Sequence, residues 1–172
     1  MIRGLMQKDW EHQVEELIPR LRRYARVLTR HRDSADDLVQ DCLERAWAKR
    51  HTWQPGSDLR AWLFTIMHNI FVNSIRVKQL PTEQLEEEAH AARHESLENG
   101  HLLRDFERCL DQLKPDTREI LVLACLEQMP YKEIAEVTDI PIGTVMSRLS
   151  RGREQLRLLM EGHDLNNVVR IK

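Results

Sequence analysis

The stretch YKEIAEVTDIPIGTVMSRLSRGREQL, residues 131–156, decides how we interpret this chain. It contains two segments with apolar residues at helical spacing, separated by the turn TDIP at 138–141. The small side chain of Ala135 would let the two helices approach closely where they cross. A further helix is predicted upstream at 116–128, with Asp116 as its N-cap. Two helices joined by a short turn, with a small residue at their crossing, form the helix-turn-helix pattern.

The second helix of this pattern, residues 143–160, is basic in a chain whose formal net charge is only −2. Its apolar residues predict one buried stripe. The residues that then face outward are Thr144, Met146, Ser147, Arg148, Ser150 and Arg151. Short polar side chains and arginines in the N-terminal half of a helix suit the reading of base edges in the major groove. Backbone N–H groups at Gly143 and Thr144 suit a phosphate. We therefore interpret this helix as a DNA-recognition helix.

The composition fits a soluble, mostly helical protein and argues against several other classes. Hydrophobic residues make up 41% and charged residues 31% of the 172 residues. Only 6 Gly and 6 Pro are present, which disfavours architectures built from strands and tight turns. No apolar run is long enough to span a membrane, and the N-terminus shows no secretion signal. We therefore expect a cytoplasmic protein without membrane insertion. Its near-neutral net charge means that DNA contacts must come from local patches.

Periodicity and charge divide the chain into two helical blocks and a linker. We expect an all-α fold with two small helical domains, at residues 10–80 and 101–161, joined by a flexible acidic linker at residues 81–100. Within the linker six glutamates outweigh the single Arg93, and apolar residues are sparse. Such a segment cannot bury enough apolar surface to fold alone.

The segment DSADDLVQDCLERAWAKR, residues 33–50, predicts an amphipathic helix in the first block. Ser34, followed three residues later by Asp37, predicts a capping box at its start. The predicted buried stripe consists of Leu38, Cys42, Leu43, Ala46 and Trp47. The opposite face carries Asp37, Gln40, Asp41 and Glu44. Polar faces of this kind are ordinarily solvated, so the residues alone assign this face no function.

Two further helices are predicted on either side of it. Residues 15–32 form an amphipathic helix with Pro19 near its first turn. The helix at 59–78 is capped by Ser57 or Asp58. Its apolar residues extend almost all round, which predicts deep burial or a partner on its surface. Off its main apolar stripe lie Phe64, Thr65, His68, Asn69, Val72 and Arg76.

Three motifs in this order resemble the extracytoplasmic-function group of bacterial RNA polymerase sigma factors. DSADDLVQDCLERAW resembles their region 2.2, LRAWLFTIMHNIFVNSIR resembles regions 2.3 and 2.4, and LKPDTREILVLACLEQMPYKEIAEVTDIPIGTVMSRLSRGREQL resembles region 4. The resemblance spans nearly the whole chain, so it is far more specific than a helix-turn-helix alone. It implies a sigma factor that directs core RNA polymerase to promoters, helps to open the DNA and catalyses no reaction itself.

The resemblance also implies roles for individual residues and for partners. Core RNA polymerase is the implied partner, through its β′ clamp helices and its β subunit. Contact with the β′ clamp helices is implied for Asp37, Gln40, Asp41 and Glu44. Contact with the −10 promoter element is implied for Trp53, Phe64, His68, Asn69 and Arg76. Contact with the −35 element is implied for Thr144, Met146, Ser147, Arg148, Ser150 and Arg151. Met146 stands where the family commonly has Lys or Arg. An anti-sigma factor is the implied regulator.

Two other interpretations remain open from the residues. The second block also fits a stand-alone helix-turn-helix regulator of the response-regulator output type, which would bind its operator without polymerase. His90 and His94 have i,i+4 spacing and His101 follows, an arrangement that could hold a metal in a sensor or an enzyme. Buried thiols on apolar helical stripes are expected for Cys42, Cys109 and Cys125. We predict no catalytic residue, no cofactor and no metal site.

Overall fold

The computed structural model describes residues Ile2–Lys78 and His101–Gly162. The described residues form seven helices: α1 (Ile2–Thr29), α2 (Arg32–Lys49), α3 (Leu59–Lys78), α4 (His101–Gln112), α5 (Pro115–Cys125), α6 (Tyr131–Thr138) and α7 (Ile142–Met160). A short 3-10 turn at Arg50–Thr52 follows α2, and these ranges contain no strand. None of their helices is both long enough and apolar enough to cross a membrane. The all-α prediction is confirmed.

The chain forms two compact units. The first contains α1, α2 and α3, each of which contacts the other two. The second contains α4, α5, α7 and residues Tyr131–Ala135 of α6, and within it α7 contacts both α4 and α5. Two helical domains are therefore confirmed, whereas their predicted boundaries stay a prediction. The predicted linker, residues 81–100, lies outside the described residues.

Helix α1 is longer than the sequence predicted. It extends over Ile2–Thr29, so Pro19 lies inside it and not near its first turn. The Pro19 side chain is exposed, while Val14 and Leu21 on either side of it are buried. Burial of apolar side chains before and after the proline offsets the backbone hydrogen bond that its missing N–H removes.

Two of the predicted N-caps are wrong. Helix α2 begins at Arg32, so its N-cap is His31 and Ser34 lies inside the first turn. Helix α5 begins at Pro115, which places Asp116 inside the helix as well. Proline suits the first helical position because an N–H there would have no partner within the helix. Asp116 is therefore available for a contact outside its own helix.

The N-cap of α3 is Asp58, one of the two residues that the sequence left open. Its carboxylate accepts hydrogen bonds from the backbone N–H groups of Arg60 and Ala61, at 2.8 and 3.1 Å. The Ser57 hydroxyl instead donates to the Gln54 carbonyl at 2.8 Å. A side-chain cap stabilises a helix by about 1 kcal/mol, and here it sets the residue at which the loop ends and α3 begins.

An aromatic pair lies in the core of the first unit. Tyr24 of α1 stacks on Phe64 of α3, with ring centroids 4.7 Å apart and an interplanar angle of 28°. Both side chains are fully buried, as are Leu21 and Leu63. Such a pair contributes about 0.5–1.5 kcal/mol beyond the burial of its area. Because α3 packs against both α1 and α2, more of its circumference is covered than one apolar stripe predicts.

In the second unit α7 approaches α5 closely at Gly152, which is buried. A Cβ atom added at Gly152 would lie 2.6 Å from Thr117 Cγ2 and 3.1 Å from Leu121 Cδ1. Arg118 of α5, only 3% exposed, forms an ion pair with Asp111 of α4 at 3.3 Å. The close approach at Gly152 thus packs α7, the predicted recognition helix, on α5, and the ion pair joins α5 to α4.

Candidate functional site

Helix α7 presents an exposed face in its N-terminal half. The residues on its buried side are Val145, Leu149, Gly152 and Leu159. An α-helix has about 3.6 residues per turn, so residues between these positions point to the opposite side. We call the exposed set there the reading face; it consists of Met146, Ser147, Ser150 and Arg151. The structure thus brings four of the six predicted −35 residues onto one surface, and Thr144 is half-buried beside them.

Exposed hydrogen bonds within α7 engage the polar groups of the reading face. The Ser147 hydroxyl donates to the Thr144 carbonyl at 3.1 Å. Arg151 Nε donates to the Ser147 carbonyl at 3.2 Å, and Arg151 Nη2 lies 3.5 Å from Ser147 Oγ. Solvent-exposed bonds of this kind contribute little net free energy. They can therefore exchange for bonds to a base edge or a phosphate.

Arg148 makes a different contact from the rest of the predicted −35 set. Its Nη1 lies 3.1 Å from Asp116 Oδ2 in the first turn of α5, and its side chain is 30% exposed. The N-terminal end of α5 also favours the negative charge of Asp116. Arg148 therefore links α7 to α5. Sequence spacing gave no signal for this pair because the two residues lie on different helices.

The remaining arginines of α7 differ in their partners. Arg157 forms ion pairs with Glu154 at 2.9 Å and Glu161 at 2.6 Å. Hydrogen bonds to Glu154 and then Glu161 raise the pKa of Arg157. Hydrogen bonding to Cys125 raises the pKa of Arg153. On the reading face, Arg151 has no carboxylate partner among the described residues.

An open cleft with a volume of about 640 Å³ lies beside the reading face. It is lined by Tyr131 at the start of α6 and, among others, by Met146, Ser150 and Arg153 of α7. Met146 remains 54% exposed at the edge of this cleft. Its side chain is therefore accessible to a ligand that approaches the N-terminal half of α7.

Helix α2 presents the predicted acidic face to solvent. Its buried side consists of Ala35, Leu38, Val39, Cys42 and Ala46. The predicted polymerase-binding residues are all exposed: Asp37, Gln40, Asp41 and Glu44. The Gln40 amide donates to Glu44 Oε1 at 3.0 Å. Asp37 and Asp41 have no cationic partner within the described ranges, so their charge is available to a basic partner.

Helix α3 and the loop before it bring part of the predicted −10 set to the surface. Asn69 and Arg76 are exposed, and Trp53 and His68 are half-buried. Phe64 is fully buried, so the prediction that its ring contacts DNA is wrong. The physical reason is the stacking partner in α1, which takes the ring into the core of the unit.

Trp47, predicted in the buried stripe of α2, is 46% exposed. Its ring packs beside Trp10 of α1 with the centroids 5.6 Å apart, and the Arg50 guanidinium lies 5.2 Å from its centroid. Arg50 Nη1 also donates to the Trp47 carbonyl at 3.3 Å. A guanidinium over an exposed indole contributes about 0.5–1 kcal/mol. Trp47 therefore lies at the edge of the first unit and not in its core.

The cysteines differ from one another in burial. Cys42 and Cys109 are buried, whereas Cys125 is exposed, so the prediction of a buried thiol is wrong for Cys125. Cys125 is the last residue of α5, where the apolar stripe of that helix ends. Burial raises the pKa of Cys42 from 9.0 to about 12, and its Sγ donates to the Leu63 carbonyl at 3.5 Å.

His90 and His94, the pair with metal-binding spacing, lie outside the described residues. His101 is the first residue of α4. In the part of the chain that the structure describes, no three His, Cys, Asp or Glu side chains form a group that could hold a metal ion. The metal-sensor interpretation has no supporting geometry there.

An acidic helix face in one helical unit and a helix-turn-helix in the other define a two-domain transcription protein of the DNA-binding class. Family models match both units. Residues 14–68 match the model described as the Sigma2 domain of PhyR, and residues 103–156 match Sigma-70, region 4.

Individual proteins show the same relationship over most of the chain. This chain is 37% identical over 145 residues to the ECF RNA polymerase sigma factor EcfG of Rhodopseudomonas palustris, a match covering 83% of this chain and 80% of that protein. This chain is also 33% identical over 140 residues to the ECF RNA polymerase sigma factor SigC of Mycobacterium tuberculosis, a match covering 77% of this chain and 73% of that protein. The chain belongs to the extracytoplasmic-function (ECF) family of RNA polymerase sigma factors.

A solved structure supports the same assignment. The sigma factor RpoE from Bartonella quintana, crystallised in complex with the anti-sigma factor NepR, has a TM-score of 0.72 and 35% identity. The match covers 90% of this chain and 98% of that one. Because the similarity runs through both units, a stand-alone helix-turn-helix regulator, which needs only the second, is not favoured. The family predicted from three sequence motifs is confirmed.

Proposed function

We propose that this chain confers promoter recognition on core RNA polymerase and assists promoter opening, with no catalytic activity of its own. Residues 10–80 bind core polymerase and the −10 element, residues 101–161 bind the −35 element, and residues 81–100 connect them. Matches to two sigma-family models in this order support the assignment. The relatives are named as sigma factors and not as enzymes.

The acidic face of α2 docks on the clamp helices of the β′ subunit, and the β subunit is a further contact of the chain in core polymerase. Its support is the exposure of four polar residues on one side of a helix whose other side is buried. Asp37 and Asp41 can each form a charge-assisted hydrogen bond with a basic partner, about twice as strong as a neutral one.

The −10 element is contacted by α3 and the loop before it. Asn69 suits a base because its amide both donates and accepts hydrogen bonds, and Arg76 suits a phosphate. Trp53 and His68 contribute their half-exposed rings at the edge of this surface. Stacking contributes ~1–3 kcal/mol per base, comparable with the few kcal/mol needed to unstack one. Contacts of this kind are sufficient to favour local melting.

The −35 element is contacted by the reading face of α7 together with Thr144. The short side chains of Ser147 and Ser150 let the helix backbone approach base edges closely. Arg151 is suited to a guanine or a phosphate. Arg148 contributes by holding α7 in place through Asp116.

An anti-sigma factor controls this protein, which acts in the cytoplasm. The support is the RpoE structure, whose sigma factor is seen with the anti-sigma factor NepR. Both the α2 face and the reading face must be accessible for transcription. A partner that covers either surface would therefore inactivate the protein.

The observation that carries the proposal is the presence of both surfaces in one chain, an acidic face on α2 and a reading face on α7. Run-off transcription with the full chain and purified core polymerase on a random-promoter library tests it. We expect enrichment of promoters with two conserved elements, and no enrichment with core polymerase alone. The net charge of −2 gives little nonspecific affinity for DNA, so the chain alone should not shift these promoters. Sequence-specific binding by the chain without polymerase would overturn the proposal.

A further inference from the structure

We propose that Met146 makes the reading face selective for thymine at one base pair of the target, through apolar contact with the C5-methyl group. The inference rests on the proposed −35 role of α7 and specifies part of the sequence that this helix reads.

The chemistry of the side chain restricts what it can recognise. Methionine has no hydrogen-bond donor, and its thioether sulfur is only a weak acceptor. Base pairs present hydrogen-bond donors and acceptors in the major groove, and the one apolar group that they present there is the thymine methyl. A methionine facing the groove can therefore distinguish a base pair that contains thymine, whereas it cannot pair with the acceptors of guanine.

The geometry places Met146 where base contacts are made. It lies in the N-terminal half of α7, the part of a helix-turn-helix recognition helix that contacts base edges. Its side chain is 54% exposed beside an open cleft. Its neighbours on the reading face, Ser147 and Ser150, have short side chains. Met146 is thus the longest apolar group that this face extends toward a ligand.

The arginines that lie further along α7 do not replace this contact. Arg153 also lines the cleft, but it lies seven residues after Met146, about 10.5 Å further along the axis of α7. Arg151, the arginine of the reading face, lies five residues after Met146, about 7.5 Å further along the axis of α7. The base pair in front of Met146 is therefore read by the thioether side chain and not by a guanidinium.

The test uses holoenzyme assembled from the full chain and core polymerase, on a promoter selected from the random library. Each −35 thymine is replaced singly by deoxyuridine, which removes only the methyl group. At one position this replacement should weaken open-complex formation roughly fourfold, the fold-change that corresponds to about 0.8 kcal/mol for one buried methylene-sized group. Uridine replacement elsewhere in the element should have little effect.

Variants locate the contact on Met146. Met146→Ala should weaken open-complex formation on the thymine promoter by a similar factor. Replacement of that thymine by deoxyuridine should then have no further effect. Met146→Arg should change the preferred base pair at that position from one containing thymine to one containing guanine. Met160→Ala is the matched control, since Met160 is 52% exposed on the same helix and lies about 21 Å further along its axis.

The outcomes separate this inference from the proposed function. If the holoenzyme selects a −35 element but Met146→Ala keeps the full response to methyl removal, the inference fails and the proposed function stands. The inference also fails, and the proposed function stands, if no single replacement of a −35 thymine by deoxyuridine weakens open-complex formation. Selection of promoters without any −35 element would overturn the proposed role of α7 and the inference with it.

Discussion

At the scale of single residues, Cys42 and Cys125 differ in reactivity because they differ in burial. The thiolate is the reactive form of cysteine, so a raised pKa protects a thiol in addition to the protection by neighbouring atoms. Cys42 is buried, and its pKa rises from 9.0 to about 12, whereas Cys125 is exposed. This difference has no counterpart in the sequence, where both residues fall on apolar stripes.

We expect a maleimide reagent to label Cys125 within minutes in the native protein and Cys42 only after denaturation. The protection of Cys42 should persist at about pH 10, because its thiol is still protonated there while an ordinary one is not. Mass spectrometry of digested, labelled protein measures both sites, and Cys125→Ser is the control that removes the rapid reaction. Rapid native labelling of Cys42 would contradict the burial of this residue.

At the scale of elements, the contact between α5 and α7 depends on a glycine. A methyl group at Gly152 would lie 2.6 Å from Thr117 Cγ2, and β-branched side chains have little rotamer freedom in a helix. Overpacking costs about 1–3 kcal/mol, which exceeds the gain of roughly 1 kcal/mol in helix propensity. Gly152 therefore sets how closely the recognition helix packs on its own unit.

Gly152→Ala should lower the free energy of unfolding of the second unit by up to about 2 kcal/mol. All four Trp lie before Leu63, so Trp fluorescence follows the first unit while far-UV circular dichroism follows both. We expect a lower urea midpoint by circular dichroism and an unchanged one by fluorescence. Gly143→Ala is the matched control, because nothing lies within 4 Å of a Cβ added there. Equal stability of the two variants would contradict the close approach.

At the scale of the whole molecule, negative and positive side chains lie on different surfaces. The formal net charge is −2, yet the acidic face of α2 and the arginines of α7 are separate features of separate units. The acidic face of α2 repels DNA phosphates, and the arginines of α7 are too few to bind DNA tightly at physiological salt without a larger partner. Selectivity is therefore expected only in the complex with polymerase.

Asp37→Ala combined with Asp41→Ala should weaken binding to core polymerase by about a hundredfold or more, since hydrogen bonds to charged groups contribute roughly 1.5–3 kcal/mol each. Fluorescence anisotropy of the labelled full chain, titrated with core polymerase, measures this affinity. Glu15→Ala with Glu16→Ala is the control, because it removes the same charge from exposed residues of α1. Unchanged affinity in the Asp37 and Asp41 variant would remove the α2 face from the model of polymerase binding.

Much of the fold and part of the candidate site were predictable from local patterns. Apolar periodicity correctly indicated the helices, the inward side of α7 and the exposure of the acidic face on α2. The prediction was wrong for Phe64, which is stacked on a residue of another helix, and for Trp47, which lies at the edge of its unit. Periodicity tells which side of a helix is apolar, but it does not tell how many neighbours that helix has.

The sequence alone determined the family, the all-α class and the two helical domains, because these depend on residue order and on repeats within single helices. Tertiary structure decided which polar groups remain available. It pairs Arg148 with Asp116 on another helix and leaves Arg151 without a carboxylate partner in the described part of the chain. It also leaves Met146 exposed at the edge of an open cleft. Ion pairs and burial join residues that are distant along the chain, so they are set only when the helices pack.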